Sequence, residues 1–331
     1  MPKVAVLGGG SWGTTLANML AGKGLTTWLW IREAELVEEI KNRGENTWYL
    51  PGIKLSPGLR VSPDMAQVVD GADYFLVVIP CQFIRQVLST YKHLFPHNPI
   101  IICASKGVEL KTLKPMSQVI EDVLEDKKPY YAILSGPSFA KEVSHKLPTA
   151  VSLGCADNNL GRKLQELLST DYFRVYLNED YRGVELGGAI KNIMAIAAGI
   201  SDGLGFGHDA RAALITRGLA EMSRLGVALG AKERTFMGLS GMGDLVLTCT
   251  GDLSRNRQVG LKLGQGQKLG QILAETRTVA EGVKTTESVY FLSRKLGVEL
   301  PITEQVYEVL FKDKDPKQAV QELMSRKLKA E

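Results

Sequence analysis

Within its first thirteen residues the chain runs Val4-Ala5-Val6-Leu7, an apolar stretch β-branched at two positions, straight into Gly8-Gly9-Gly10-Ser11-Trp12-Gly13. From Thr14 onward Leu16, Ala17 and Leu20 take helical spacing. Strand, glycine turn and helix in so short a span predict the first βα unit of a parallel sheet. Each glycine has its own task there: Gly8 permits the tight turn, Gly10 lets a pyrophosphate approach the backbone, and Gly13 lets helix and strand pack closely. The N–H groups exposed where the helix starts then favour an anion. A lone Gly-x-Gly-x-x-Gly is weak evidence, but after a first strand and before a helix it predicts dinucleotide binding.

The second strand, Thr26-Thr27-Trp28-Leu29-Trp30-Ile31, ends in Arg32-Glu33. An acid at this place binds the ribose hydroxyls of NAD, whereas an arginine accommodates the 2′-phosphate of NADP. Residue counting favours Glu33, and the strand end favours Arg32. Geometry delivers the side chain, so Arg32 predicts NADP with some use of NAD. A mixed segment with turn signals at Pro51-Gly52, Pro57-Gly58 and Pro63 follows. The near-continuous apolar runs at Asp73 to Pro80, Ile100 to Ala104 and Tyr131 to Leu134 then read as buried parallel strands. Ligands of a doubly wound sheet bind beyond the carboxyl ends of strands, where Lys106, Gly136 and Ser138 fall. Lys106 is either an ordinary loop lysine or a substrate contact, and its place directly after a buried strand favours the contact.

Strand signals fade after Phe173-Arg174-Val175-Tyr176, and a domain boundary is expected near Asn178-Glu179-Asp180. The next stretch, Glu185 to Gly199, is apolar or small on every face beyond Glu185, apart from Lys191 and Asn192. A helix hydrophobic all round is a buried one. Lys191 either sits near a helix end and snorkels to water, or faces a ligand and handles a proton, since desolvation lowers an ammonium pKa towards the useful range. The small residues at 187, 188, 195, 198 and 199 suit a ligand or another backbone lying across the helix. Asp244, between glycine and Leu245-Val246-Leu247, either caps a turn or pairs with Lys191. Ser254-Arg255-Asn256-Arg257 joins a serine cap, two arginines and open N–H groups at a helix start. That is a compact anion receptor, or else a solvated basic face.

At 331 residues two domains are expected, and 44% apolar with 23% charged residues is ordinary for a soluble globular chain. A net charge of +4 is too mild for nucleic acid but fits a small anionic substrate. Cys81, Cys103, Cys155 and Cys249 lie far apart, three of them in or beside apolar runs, and are expected as buried thiols. His93, His97, His145 and His208 show no metal-ligand spacing, so no metal is expected. A strand at the very start, without a charged leader, and no uninterrupted apolar run of membrane-spanning length point to a cytoplasmic protein with no stable membrane insertion.

These motifs, in this combination and order over essentially the whole chain, resemble the NAD(P)-dependent glycerol-3-phosphate dehydrogenases of the bacterial type. The shared stretches include Ser105-Lys106-Gly107, Ser135-Gly136-Pro137-Ser138-Phe139-Ala140, Leu186 to Asn192, Gly241-Met242-Gly243-Asp244-Leu245 and Ser254 to Arg257. The resemblance implies an α/β fold, with an N-terminal doubly wound Rossmann domain over 1–179 and a mostly helical C-terminal domain over 180–331. It implies interconversion of dihydroxyacetone phosphate and sn-glycerol 3-phosphate with NADPH or NADH, supplying phospholipid synthesis. Carried over by position, Ser11, Trp12, Arg32, Tyr49 and Ala140 contact the cofactor, as do Val279 and Glu281, which no local signal marks. Lys106 touches cofactor and substrate, and Gly136 and Ser138 touch substrate. Lys191 matches the proton-transferring lysine and Asp244 its partner, with Asn192 and Thr248 lining the same site. Ser254, Arg255 and Asn256 match the substrate-phosphate site, Arg255 lying also near the cofactor. Ser138 stands where the family often has threonine, which keeps the hydroxyl. Arg32 stands where histidine is common, which sharpens the expectation of NADP. A homodimer is expected for such a chain. Two rivals are a dehydrogenase of the 6-phosphogluconate or hydroxyacid type and a redox sensor that binds NADP without turnover; a sensor would need neither Lys191, Asp244 nor the arginine pair.

Overall fold

A computed structural model describes residues 1–275 and 280–328. They form two compact units: Met1–Lys106 with Lys114–Glu185, and Gly107–Leu113 with Leu186–Glu331. The helix Tyr181–Gly203 starts in the first and continues into the second.

The first unit is one sheet of β1 (Lys3–Leu7), β2 (Thr26–Trp30), β3 (Leu59–Ser62), β4 (Tyr74–Val77), β5 (Ile100–Cys103), β6 (Tyr130–Ser135), β7 (Thr149–Cys155) and β8 (Phe173–Asn178). They lie in the order β3-β2-β1-β4-β5-β6-β7-β8. Six pairings are parallel, and β6 with β7 alone is antiparallel. Successive side chains of a strand face opposite ways, and here both faces are covered. Val4, Val6, Leu76 and Ile102 enter one apolar cluster, while Ala5, Leu7, Phe75, Val77 and Ile101 enter the other. This double burial is why the strands read as unbroken apolar runs. β3 had no such run: Leu59 and Val61 are half-buried and Arg60 is exposed, as befits the sheet's outer edge. The order reverses at β1, whose neighbours β2 and β4 lie on either side, so the glycine turn after β1 sits at the switch point.

The second unit is helical, and its apolar cluster is built around Leu186 to Ile200. The helix Tyr181–Gly203 spans 23 residues, and its apolar window is wholly buried. By length and composition alone it would pass for a membrane span, but its burial makes it a core helix. All four cysteines are free and buried, as their apolar settings predicted.

Candidate active site

The glycine turn is built for close approach. A Cβ at Gly8, whose φ is +128°, would overlap the carbonyl oxygen of Val78, and one at Gly13 would overlap that of Gly8. A Cβ at Gly10 would meet nothing within 4 Å. Gly8 and Gly13 are thus fixed by the protein's own packing, whereas Gly10 borders open space. Gly10 is also the N-cap of the helix Ser11–Gly22 and supplies no capping side chain. The first N–H groups of that helix therefore present partial positive charge. Trp12 lies in the first turn with a buried indole Nε1 that has no partner among the described residues, its ring 6.4 Å from that of Phe173. A cradle open at Gly10 and an orphaned donor beside it fit a bound dinucleotide.

Sequence reasoning passed over Asn46, which holds this turn. Fully buried, it donates to the Gly9 carbonyl at 2.9 Å and to Thr14 Oγ1 at 2.8 Å, and accepts from the backbone N–H of Tyr49 at 3.1 Å. Tyr49 is thereby tied to the glycine turn through one side chain. An asparagine in an irregular segment gives no periodic signal, so only its partners mark it. Arg32 follows β2 with its side chain 76% exposed, and its guanidinium meets Glu33 at 2.7 Å. At the ends of β5 and β6, Lys106 Nζ donates to the Gly136 carbonyl at 3.3 Å, and Ser138 Oγ donates to the same oxygen at 3.2 Å. Gly136 has φ +144°, and an added Cβ would lie 2.9 Å from Val151 Cα, so its loop is pressed onto β7. Ala140 opens the short helix Ala140–Ser144.

In the second unit Lys191 is buried on the helix Tyr181–Gly203, called below the lysine helix. It does not snorkel, because its ammonium donates to Asp244, whose side chain is 1% exposed. Asp244 follows a π-turn over Leu239–Gly243, a distortion frequent at functional sites. Gly187 lets that turn cross the lysine helix, since a Cβ there would lie 2.5 Å from the Ser240 carbonyl. The small residues of this helix thus receive other backbones.

Ser254 caps the helix Arg255–Gly264, called below the arginine helix, and accepts from the Arg257 N–H at 3.2 Å. Its hydroxyl also lies 3.1 Å from that of Thr248. Asn256 Nδ2 donates to Asn192 Oδ1 at 3.0 Å, and its Oδ1 accepts from the Gly282 N–H at 2.9 Å. That last bond caps the helix Glu281–Leu296, so Glu281 opens a helix docked on Asn256. Arg255 is exposed on one side while protein atoms crowd the other. That desolvation lowers its guanidinium pKa, and the Glu281 carboxylate opposes the shift. Arg257 corrects the reading of both arginines as anion receptors, because its guanidinium is bound to Asp202 and Asp252. Val279 lies outside the described residues. Among the described residues no cluster of side chains is arranged to hold a metal.

The residues 3–161 match the family described as NAD-dependent glycerol-3-phosphate dehydrogenase N-terminus, and residues 180–321 match its C-terminus counterpart. Over 329 residues the chain is 66% identical to a glycerol-3-phosphate dehydrogenase (NAD(P)+) of Maridesulfovibrio salexigens, covering 99% of this chain and 100% of that one. A relative of the same name from Solidesulfovibrio magneticus is 63% identical with the same coverage. Among solved structures, glycerol-3-phosphate dehydrogenase of Coxiella burnetii superposes with a TM-score of 0.95 at 43% identity, covering 98% of this chain and 99% of that one.

Proposed function

The chain belongs to the NAD-dependent glycerol-3-phosphate dehydrogenase family, and from that premise we infer how its own residues interconvert dihydroxyacetone phosphate and sn-glycerol 3-phosphate. The reaction uses NADPH or NADH, and its product supplies phospholipid synthesis. No relative named above is a binding protein without turnover, so the sensor reading has no support.

One observation carries the assignment of roles. Asn192, next to Lys191, is hydrogen-bonded at 3.0 Å to Asn256, next to Arg255. An amine and a guanidinium therefore flank one fixed contact, as a substrate with a central oxygen and a terminal phosphate requires. Gly10, Ser11, Trp12 and Gly13 would hold the pyrophosphate end of the dinucleotide, with Gly8 closing the turn. Arg32 would meet the 2′-phosphate of NADP, with Tyr49, Ala140 and Glu281 as further contacts. When bound, the nicotinamide supplies the hydride. Lys191 as ammonium donates a proton to the alkoxide forming on the substrate, and Asp244 holds the amine in place. Lys106 would lend positive charge to bound cofactor and substrate, with Gly136 and Ser138 as substrate contacts. Arg255, with Ser254, Asn256 and the first N–H groups of the arginine helix, holds the phosphate, and Thr248 supports Ser254. Binding energy from the remote phosphate orients the carbonyl, so a phosphate-free ketone loses turnover as well as affinity.

The test is absorbance at the nicotinamide band with both cofactors. NADPH oxidation is expected with dihydroxyacetone phosphate, and little with 6-phosphogluconate or β-hydroxyacids; absent oxidation with the triose phosphate overturns the reading. Four free buried thiols support a cytoplasmic, reducing setting. The lysine helix, being buried core, supports an enzyme that does not insert into membranes. Exposed apolar side chains such as Met237 and Phe291 are compatible with a homodimer, which light scattering on the purified chain tests.

A further inference from the structure

The lysine and arginine helices touch backbone to backbone. A Cβ at Gly199 would overlap the Arg257 carbonyl, and one at Gly203 that of Leu261. Reciprocally, a Cβ at Gly260 would overlap the Ile196 carbonyl, and one at Gly264 that of Ile200. Contact therefore advances in the same direction along both helices, from Asn192 with Asn256 to Gly203 with Gly264. Glycines permit such approach but do not choose the register, because a smooth surface can slide. A directional contact is needed to stop it.

Asp202, at the far end of the lysine helix, supplies that contact. Its side chain is 6% exposed. Oδ2 accepts from Arg257 Nε at 2.8 Å and Nη2 at 2.7 Å, while Oδ1 accepts from Arg211 Nε at 2.9 Å and Nη2 at 2.5 Å. Arg257 Nη1 reaches Asp252 at 2.9 Å. Both arginines present their planar forks to one carboxylate, which fixes orientation as well as distance. Arg257 follows Asn256 and its own carbonyl makes the first glycine contact, with Gly199, so fixing it fixes the start of the arginine helix.

We propose that Asp202 and Arg257 are positioning residues that set the register of the arginine helix on the lysine helix, and so determine where the phosphate of the substrate lies relative to Lys191. Neither touches substrate. The proposal rests on the roles given above to Lys191 and Arg255 and adds a reason for selectivity. The span from proton donor to phosphate holder is set by the Asp202–Arg257 pair acting with the Asn192–Asn256 hydrogen bond, and it suits a substrate of one length. The ion pair also holds Arg257 away from the phosphate, leaving that contact to Arg255, which forms no ion pair among the described residues.

The experiment compares two ketones, dihydroxyacetone phosphate and phosphate-free dihydroxyacetone at high concentration, in wild type, Asp202→Asn and Arg257→Lys. A misplaced phosphate site harms only the substrate that uses it. In both variants kcat/KM for the phosphate ester is expected to fall about 100-fold, the scale of a misplacement near 1 Å. Reduction of dihydroxyacetone should stay within about two-fold, which only a positioning role predicts, and NADPH binding by fluorescence should not change. Equal loss with both ketones, or no loss with either, overturns the proposal. Asp202→Asn leaves two arginines facing a neutral amide, and should it fail to fold, Arg257→Lys keeps the charge and loses the fork, so it carries the test alone. A wild type inactive on the phosphate ester would refute the assigned reaction; an active wild type with unmoved variants would refute only the positioning role.

Discussion

Asp244 holds Lys191 across 53 positions of sequence, and the two form a buried ion pair with 1% and 9% of their side chains exposed. Removing one partner of such a pair leaves an uncompensated charge in a poorly solvated place. Any variant of this pair therefore mixes stability with chemistry, and the two must be separated.

Lys191→Ala should reduce turnover by about 10³-fold or more, in the upper range for lost acid–base catalysis, while NADPH binding stays measurable. It should also cost about 3 kcal/mol in urea unfolding through loss of the buried ion pair with Asp244. Adding Asp244→Asn should recover most of the stability and none of the turnover. Residual turnover without cofactor binding would refute the catalytic role.

Gly10 and Gly13 should respond in opposite ways to alanine. A Cβ at Gly13 overlaps the Gly8 carbonyl, so Gly13→Ala should lower stability by about 1–3 kcal/mol, the usual scale of overpacking. Gly10 borders open space, so Gly10→Ala should fold normally and bind NADPH about tenfold more weakly or worse. Calorimetry and fluorescence titration of both variants check this, and normal affinity in Gly10→Ala would mean the pyrophosphate does not pass there.

Arg32→Glu should shift the kcat/KM ratio of NADPH to NADH towards NADH by about 10–100-fold, the worth of one charged hydrogen bond. The exposed Arg32 side chain leans on Glu33, so the change replaces attraction by repulsion at that contact too. An unmoved ratio would assign cofactor preference to Glu33 or to the backbone.

Glu221 introduces a pH dependence unrelated to catalysis. It is 3% exposed and accepts from the N–H groups of Ile302 and Thr303 at 2.6 and 3.2 Å and from the Thr303 hydroxyl at 3.1 Å, capping the helix Pro301–Phe311. Burial pushes its carboxyl up to about 7 despite those donors and the opposing charge of Arg224. A carboxyl with a raised native pKa binds protons more tightly when folded, so its contribution is largest at acid pH and is lost as pH rises from about 4.5 to about 7. The change amounts to roughly 3 kcal/mol at 1.36 kcal/mol per pH unit. Relative to wild type, Glu221→Gln should therefore gain stability between pH 5 and pH 8 in denaturant titrations. An identical pH profile for the two would show that the carboxylate is fully compensated by its donors.

Much of the architecture was legible because its causes are local. Val4 to Leu7 and Ile100 to Cys103 read as strands because both faces of the sheet are buried. Gly8 and Gly13 were legible because only glycine fits a turn where carbonyl oxygens crowd in. The burial of the lysine helix followed from its lack of a polar face, whereas for Lys191 itself the sequence allowed both snorkelling to water and facing a ligand. The partner of a side chain, in contrast, depends on which distant element crosses it. Arg255 and Arg257 are equivalent in sequence, yet one faces outward and the other is taken up by Asp202, 55 positions away. Asn46 was silent until the fold brought Gly9 and Thr14 to it. Periodicity and glycine sterics act within one turn or one strand, so the sequence by itself determined the elements and the residues able to do chemistry. Ion pairs and hydrogen bonds act between elements, so only the tertiary structure decided which of those residues are paired with one another.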